Sequence, residues 1–211
     1  MQNNNQQQIV GAILIAGILI AGAILIKGSK SPRENTPIEN NSENTAWQGR
    51  PVTSEDHIIG SANAEVIVVE YSDLECPFCK IFHATMQKVV ENTNGGVAWA
   101  YRHYPIPQLH EKAFREAEAT ECAFEQGGNN AFWKYTERIF EITPSNDGLA
   151  EEELENIANY VGLDIAQFTN CLNSGKYSKK VQADIDDGNK VGVRGTPSSF
   201  ILVNRKVADK K

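Results

Sequence analysis

The sequence predicts an α/β domain in which a strand-helix-strand unit is separated from its last strand by a long helical insertion, behind an apolar N-terminal segment. Three observations carry this prediction. VIVVEY, residues 66–71, is a nearly continuous β-branched run suited to a strand buried on both faces, and apolar residues at helical spacing follow it (Ile81, Phe82, Met86, Val89, Val90). Between residues 112 and 187 alanine, glutamate and periodic aromatics replace the strand signal, which reads as several helices. The chain then returns to GVRGTPSSFILV, residues 192–203, a glycine-rich turn, a Thr-Pro step and a short strand.

Taken in order, residues 1–8 are a short polar N-terminus and residues 9–26 read IVGAILIAGILIAGAILI, uncharged and about the length that spans a bilayer's hydrocarbon core. A transmembrane anchor is expected there. A cleaved secretory signal is the alternative, but the run is longer than a typical apolar h-region and lacks a following A-x-A site. Lys27, Lys30 and Arg33 follow the span and by the positive-inside rule favour a cytoplasmic placement of that end. The cysteine chemistry below favours the outside, and long domains translocate despite modest charge bias. The expectation is a single-pass cell-membrane protein with its catalytic domain on the extracytoplasmic side. Residues 27–50 are rich in Asn, Ser, Pro, Glu and Gly and read as a flexible linker, because so few apolar side chains cannot offset the entropy of ordering. The folded domain is placed at residues 51–211. Within it NTNGG, residues 92–96, stops the first helix, and VAWAYRHYP, residues 97–105, is a second strand that completes a βαβ unit.

With 41% apolar and 22% charged residues the 211-residue chain supports one ordinary domain with extensions. A net charge of -7 argues against nucleic acid as a partner, since neutralising phosphates needs a basic surface. The four cysteines are Cys76, Cys79, Cys122 and Cys171. Cys76 falls at a predicted helix N-terminus, where unpaired backbone N–H groups and the helix dipole favour the thiolate. Cys79 lies one turn on, within reach of a mixed disulfide on Cys76. Pro77 suits the first helical turn, where its missing N–H costs nothing. A zinc half-site is the competing reading of C-x-x-C, but it needs two further ligands at matching spacing; no metal and no cofactor is assigned.

EYSDLECPFC, YRHYPIPQLH, ECAFEQGGNNAFW and GVRGTPSSFI, in that order, resemble the DsbA-like branch of the thioredoxin superfamily over roughly residues 59–203. The resemblance implies a thioredoxin fold interrupted by a helical insertion at about residues 112–187, and disulfide exchange outside the cytoplasm through Cys76 and Cys79. It implies that Glu70 is a buried acid serving proton transfer at the second cysteine, an outward-facing strand residue being the alternative. It further implies a cis bond at Thr196-Pro197, with Thr196 backbone pairing to a substrate strand, so that Pro77, Phe78, Thr196 and Pro197 form the substrate-binding surface. Phe78 stands where strongly oxidising relatives have histidine, which implies a weaker oxidant.

Other residues receive quieter readings. Asp73 and Glu75 are expected in an exposed loop, and His83 on a partly exposed helix face. Trp133, Phe132, Phe140 and Tyr160 are expected in the core of the insertion. His103 and His110 match positions of the family but are given no catalytic role. In an oxidising compartment Cys122 and Cys171 are expected to form a structural disulfide closing a loop of about 50 residues, worth about 4 kcal/mol; two buried thiols are the alternative. After FILV the chain reads NRKVADKK, where the family adds a strand and a closing helix. A missing C-terminal strand and helix, and an exposed apolar edge near Phe200, are therefore expected. The function expected is oxidation of cysteines in translocated proteins, with reduced secreted proteins as substrates and a quinone-linked membrane reoxidase as partner. A disulfide reductase or isomerase, or a non-catalytic chaperone-like peptide-binding module, is the alternative; the lack of an added dimerisation domain weighs against the isomerase.

Overall fold

The computed structural model of the protein describes residues 47–203. Strand β1 spans His57–Ile59, β2 Val66–Ser72 and β3 Val97–His103, with helix α1, Pro77–Asn92, between β2 and β3. Helices α2 (Ala113–Ile142), α3 (Glu153–Tyr160), α4 (Ile165–Ser174) and α5 (Ser178–Lys190) form the insertion, and β4, Ser198–Val203, ends the described chain. The sheet order is β1-β3-β2-β4, in which β3 runs parallel to β2 while β1 and β4 are antiparallel to their neighbours. The parallel pair needs a crossover, and α1 supplies it.

The pleat of β2 divides its side chains between two cores. Val68 packs with Trp99, Tyr101, Cys79 and Met86 and with the apolar faces of α2, α3 and α4. Ile67, Val69 and Tyr71 point the other way and pack with Ala98, Ala100, Val193 and Leu202. This second face also buries a charge network. Arg102, fully buried, donates through Nε to Asp56 (3.1 Å) and through Nη1 to Asp187 (2.7 Å) and the Tyr71 hydroxyl (3.2 Å). A buried guanidinium is tolerated because its donors are met by two carboxylates.

Helix α2 breaks at Gly128, whose φ of 60° and ψ of -155° lie outside the region open to other residues. Cys122 on α2 and Cys171 on α4 form a disulfide (S–S 1.99 Å, Cα–Cα 5.9 Å) that joins the insertion to itself across 49 residues.

Several expectations need correction. Tyr160 is 68% exposed, because its ring lies at the C-terminus of α3 under the Arg138 guanidinium, 4.5 Å away, instead of in the core; Phe132 and Phe140 are buried. Strand β1 has no counterpart in the sequence reading, since three residues are too short to show a period. Among the described residues no helix is long and apolar enough to cross a membrane; the longest, α2, is broken at Gly128 and carries Arg115, Glu116, Glu118 and Glu121 in its first half. The apolar stretch at residues 9–26, the linker up to Ala46 and the segment after Val203 lie outside the described residues. In the described sheet β4 is an edge strand with Ile201 and Val203 exposed.

Replacing Cys122 and Cys171 by alanine is expected to lower the unfolding free energy by about 4 kcal/mol, the chain-entropy contribution of a loop of this size, read from denaturant unfolding with the slope fitted separately for each form, since the unbridged unfolded chain is less compact.

Candidate active site

Strand β2 ends at Ser72 and α1 begins at Pro77, so the chain reverses within four residues, and Cys76 is the N-cap of α1 (φ -78°, ψ 121°). The pyrrolidine of Pro77 has no N–H to satisfy in the first turn, and the free amides of Phe78 and Cys79 are turned toward the Cys76 sulfur. Both cysteines are free thiols. Cys79 is fully buried and shares the inner face of α1 with His83 and Met86, spaced i, i+4, i+7, whereas Cys76 is 5% exposed. From the other side the turn before β4 brings Thr196, joined to Pro197 by a cis peptide bond, so that the Cys76 thiol sits 3.4 Å from the Thr196 carbonyl oxygen. The two cysteines, Pro77, Phe78, Thr196 and Pro197 thus meet at one corner of the sheet, with Phe78 the most open (68% exposed).

The two thiols are driven apart in acidity. Cys76 is lowered from 9.0 to about 5, foremost because the Cys79 thiol donates a hydrogen bond to it; burial opposes this, and the Cys79 N–H, the Thr196 side chain and the Phe78 N–H assist it. Cys79 is pushed well above its ordinary value by burial first and then by that same bond to Cys76. One sulfur is therefore a thiolate near neutrality and the other a thiol.

Glu70 lies beneath them. It is fully buried on the face of β2 that looks toward α1, and its Oε2 accepts the Trp99 indole N–H at 2.8 Å while Oε1 has no protein partner. Burial raises its carboxyl from 4.5 to about 8, and its charge is felt by Cys79. Of the two placements open for this residue, the inward one is adopted. Sequence reasoning gives Trp99 a place in a strand and no role at the site; its position opposite Val68 in the parallel register, two residues before the partner of Glu70 and so on the same face, carries its N–H to the carboxylate.

Asp73 and Glu75 correct the expectation of an exposed loop, being 1% and 0% exposed. Both are buried because backbone amides at the corner need acceptors. Asp73 Oδ1 accepts the Glu75 N–H (2.9 Å), and its Oδ2 accepts the Ile106 N–H (2.8 Å) and His110 Nδ1 (3.0 Å). Glu75 accepts the Thr143 hydroxyl (3.0 Å) and the amides of Gly148 and Leu149 (3.2 Å each), latching the loop after α2 to the cysteine turn. Glu116 of α2 faces this pair with its carboxyl raised to about 9, by burial first and by Glu75 second, so it sits there as the neutral acid. His83 is likewise buried (3% exposed) between Trp99 and Phe140; burial lowers its pKa to about 4, so it is a neutral ring in the core and not a partly exposed helix residue. The sequence signal for Asp73 was an Asp two residues before Glu75 in a chain reversal, the pattern of an Asx-turn.

A second buried polar cluster lies away from this corner: Glu121 Oε1 accepts Nε2 of both His57 (2.8 Å) and His103 (3.1 Å). These three are the described residues whose donor atoms converge closely enough to hold a cation, but the Lys180 ammonium, 3.4 Å from the same oxygen, already supplies positive charge.

A family model described as thioredoxin matches residues 52–211. Pseudomonas aeruginosa DsbA2 superposes with a TM-score of 0.62 at 30% identity, covering 75% of this chain and 85% of that one. Oxidised BdbD from Bacillus subtilis gives a TM-score of 0.65 at 22% identity, over 78% and 91%, a likeness of fold. Among curated proteins, the Na(+)/H(+) antiporter NhaA 1 of Mycolicibacterium gilvum is 32% identical over 155 residues and NhaA 3 of Salinispora tropica 33% over 147. The matches cover 72% and 69% of this chain but only 24% and 21% of those proteins, so the chain spans less than a quarter of their length. With curated relatives named as Na(+)/H(+) antiporters, the single-pass extracytoplasmic placement read from the sequence is overturned.

The split acidity fixes a pH dependence. The folded Cys76 thiol loses its proton at about 5 and the unfolded one at about 9.0, so between these values the unfolded reduced chain binds the extra proton and stability rises with pH. Glu70 acts oppositely between 4.5 and about 8, where burial of its carboxyl costs stability as pH rises; burial, the largest cause, is common to both redox forms, and the smallest, the charge of Cys76, belongs to the reduced form. The stability of the form with reduced Cys76 and Cys79, minus that of the form with these two joined, should therefore climb from pH 5 to pH 9. Urea unfolding of the two forms, with the Cys122–Cys171 bond intact in each, measures this, and a flat difference contradicts it.

Proposed function

Because the chain belongs to the thioredoxin family, with the helical insertion of its DsbA-like members, we propose that it is a protein thiol-disulfide oxidoreductase that works as an oxidant through a Cys76–Cys79 disulfide. The observation that carries this reading is the split pair at the start of α1, a thiolate at Cys76 over a buried thiol at Cys79. A reduced form stabilised in this way drives the disulfide toward accepting electrons.

The residues supply a balanced cycle. A substrate thiolate attacks Cys76 Sγ, forming a mixed disulfide and breaking the Cys76–Cys79 bond. The electron pair leaves on Cys79, which takes a proton from the Glu70 carboxyl; at a pKa of about 8 that group holds its proton near neutrality and can also give it up. A second substrate thiolate then attacks the substrate sulfur of the mixed disulfide and expels Cys76, whose low proton affinity makes it a good leaving group. Two substrate thiols become one disulfide, and two electrons rest on the enzyme. One of the two substrate protons restores the Glu70 carboxyl, whose own proton now sits on the Cys79 thiol, and the other passes to the surroundings because Cys76 remains a thiolate.

The substrate we propose is a reduced, extended polypeptide. Support comes from the Thr196 carbonyl at the Cys76 sulfur, where main-chain pairing with a substrate strand is independent of its sequence, and from Phe78 and Ile81, 68% and 64% exposed on α1, which offer apolar contact. The electrons must then pass to a separate acceptor, for which a quinone-linked reoxidase is suited. Phe78 between the cysteines places no charge on the thiolate, so the oxidant is expected to be milder than relatives with histidine there.

The reduction potential of the Cys76–Cys79 pair tests the direction. A value near or above about -150 mV is expected, and one near about -270 mV would reverse the proposed electron flow. Cys76→Ser is expected to abolish exchange with a reduced peptide; retained exchange would remove Cys76 as the nucleophile. Glu70→Gln is expected to slow release of Cys79 by about a hundredfold at neutral pH, the lower end for a proton-transfer group, as followed by the appearance of mixed disulfide when the oxidised protein is mixed with a reduced peptide in stopped flow.

A further inference from the structure

Asp73 joins both cysteines to a histidine that the cycle above does not use. Its N–H is directed at Cys79 Sγ (3.5 Å) and its carbonyl oxygen accepts the Cys76 N–H (3.2 Å). Its carboxylate, through Oδ2, accepts His110 Nδ1 at 3.0 Å. His110 is held from its other side as well, because its own N–H is bonded to the Ile106 carbonyl (2.9 Å), and Ile106 N–H returns to the same Asp73 oxygen. The ring is only 5% exposed, so its orientation is set by these bonds. At the position between the cysteines, by contrast, Phe78 offers neither charge nor donor.

We infer that His110, oriented by Asp73, is a positioning residue for disulfide exchange, whose imidazolium balances the negative charge collected on Cys76 when the pair is reduced. The inference rests on the reading of Cys76 as the exchanging thiol. The charged groups packed at this corner are Asp73 and Glu75 from the cysteine turn, Glu116 from α2, Asp147 from the loop after α2, Lys80 of α1, whose ammonium is bonded to the Thr143 carbonyl oxygen (2.8 Å), and Lys112, whose ammonium is bonded to the carbonyl oxygens of Asp147 and Leu149 (2.7 Å each). Apart from Lys80 and Lys112, both held by backbone carbonyls, these are acids, with Glu116 neutral. Burial acts against a charged ring, but the bond to Asp73, the charge of Asp73 and the charge of Cys76 together raise the proton affinity of His110 above its ordinary 6.5. The Cys76 contribution exists only in the reduced form. In the cycle two substrate thiols surrender two electrons and two protons; Cys79 keeps one proton, and His110 takes up part of the second as Cys76 becomes a thiolate. Proton uptake by His110 and electron uptake by the pair are therefore linked.

Two measurements decide the matter. In the full chain, the His110 ring is followed by NMR through a pH titration of the form with Cys76 and Cys79 joined and of the form with them reduced. A midpoint higher by about half a unit or more in the reduced form is expected, and equal midpoints overturn the inference. His110→Asn retains a donor toward Asp73 and removes the charge. In this variant the midpoint of Cys76 thiolate absorbance should rise by about half to one unit, and the equilibrium constant for oxidising glutathione should fall about three- to tenfold. Wild-type values for both also overturn it. If the variant fails to fold, the wild-type titration stands alone as the test. A wild-type protein that exchanges with glutathione while His110 is insensitive to redox state removes this inference only, whereas failure to exchange removes the proposed function beneath it.

Discussion

The corner between β2 and α1 must reverse the chain in four residues inside the protein, and the demand for hydrogen-bond partners there governs much of the remaining structure. Water does not reach Asp73 or Glu75, so every backbone amide exposed by the reversal has to find a fixed acceptor. Asp73 supplies acceptors to Glu75, Ile106 and His110, and Glu75 supplies them to Thr143, Gly148 and Leu149. Two side chains thus fasten the segment after β3 and the loop after α2 to the turn that carries Cys76. The loop held by Glu75 contains Ser145, Asn146 and Asp147, all with φ between 54° and 66°, a conformation non-glycine residues adopt at a cost. Those bonds offset that cost, which explains how an insertion made of separate helices stays registered on the active-site turn.

The same corner creates the chemical asymmetry. Cys76 and Cys79 are identical groups three residues apart, yet one sits at the open end of a helix facing unpaired amides and the other is enclosed by the sheet, Trp99 and Glu70. A thiolate is favoured where donors converge on it and disfavoured where burial removes them. The hydrogen bond between the two sulfurs then amplifies the difference, lowering the acceptor and raising the donor. Glu70 follows the same rule on a carboxyl: enclosed with one indole N–H as its partner, it is held near neutrality instead of fully ionised. On the opposite face of the sheet, burial was resolved otherwise. There Arg102, Asp56 and Asp187 neutralise one another and Tyr71 completes the set, so the charges are structural ballast for the sheet, distant in role from the thiols.

Some of this was legible along the chain. The β-branched run at residues 66–71, the helical spacing after Cys79 and the strand at residue 97 each have a period long enough to read, and they gave the βαβ unit and the position of the two cysteines. The insertion and the return of a strand after Thr196 were legible for the same reason. Strand β1, the exposure of Tyr160, and the burial of His83, Asp73 and Glu75 were not. Periodicity reports which face of an element is apolar, but Asp73 and Glu75 lie in a turn that has no period, and a histidine four residues after Cys79 reads alike whether the facing surface is water or Trp99 and Phe140.

The sequence by itself determined which groups were available and their local order: a nucleophile candidate at a helix start, a second thiol one turn later, an acid six residues upstream, and a Thr-Pro step far downstream. These follow from neighbours along the chain, where spacing is fixed by backbone geometry. Only the tertiary structure decided that Glu70 points inward, that Thr196 meets a sulfur 120 residues away, that Asp73 binds His110, and that Cys122 lies beside Cys171. Acidity in particular belongs to that second group. A pKa depends on solvation and on charges brought near in space, and neither has a value until the chain has folded around the group.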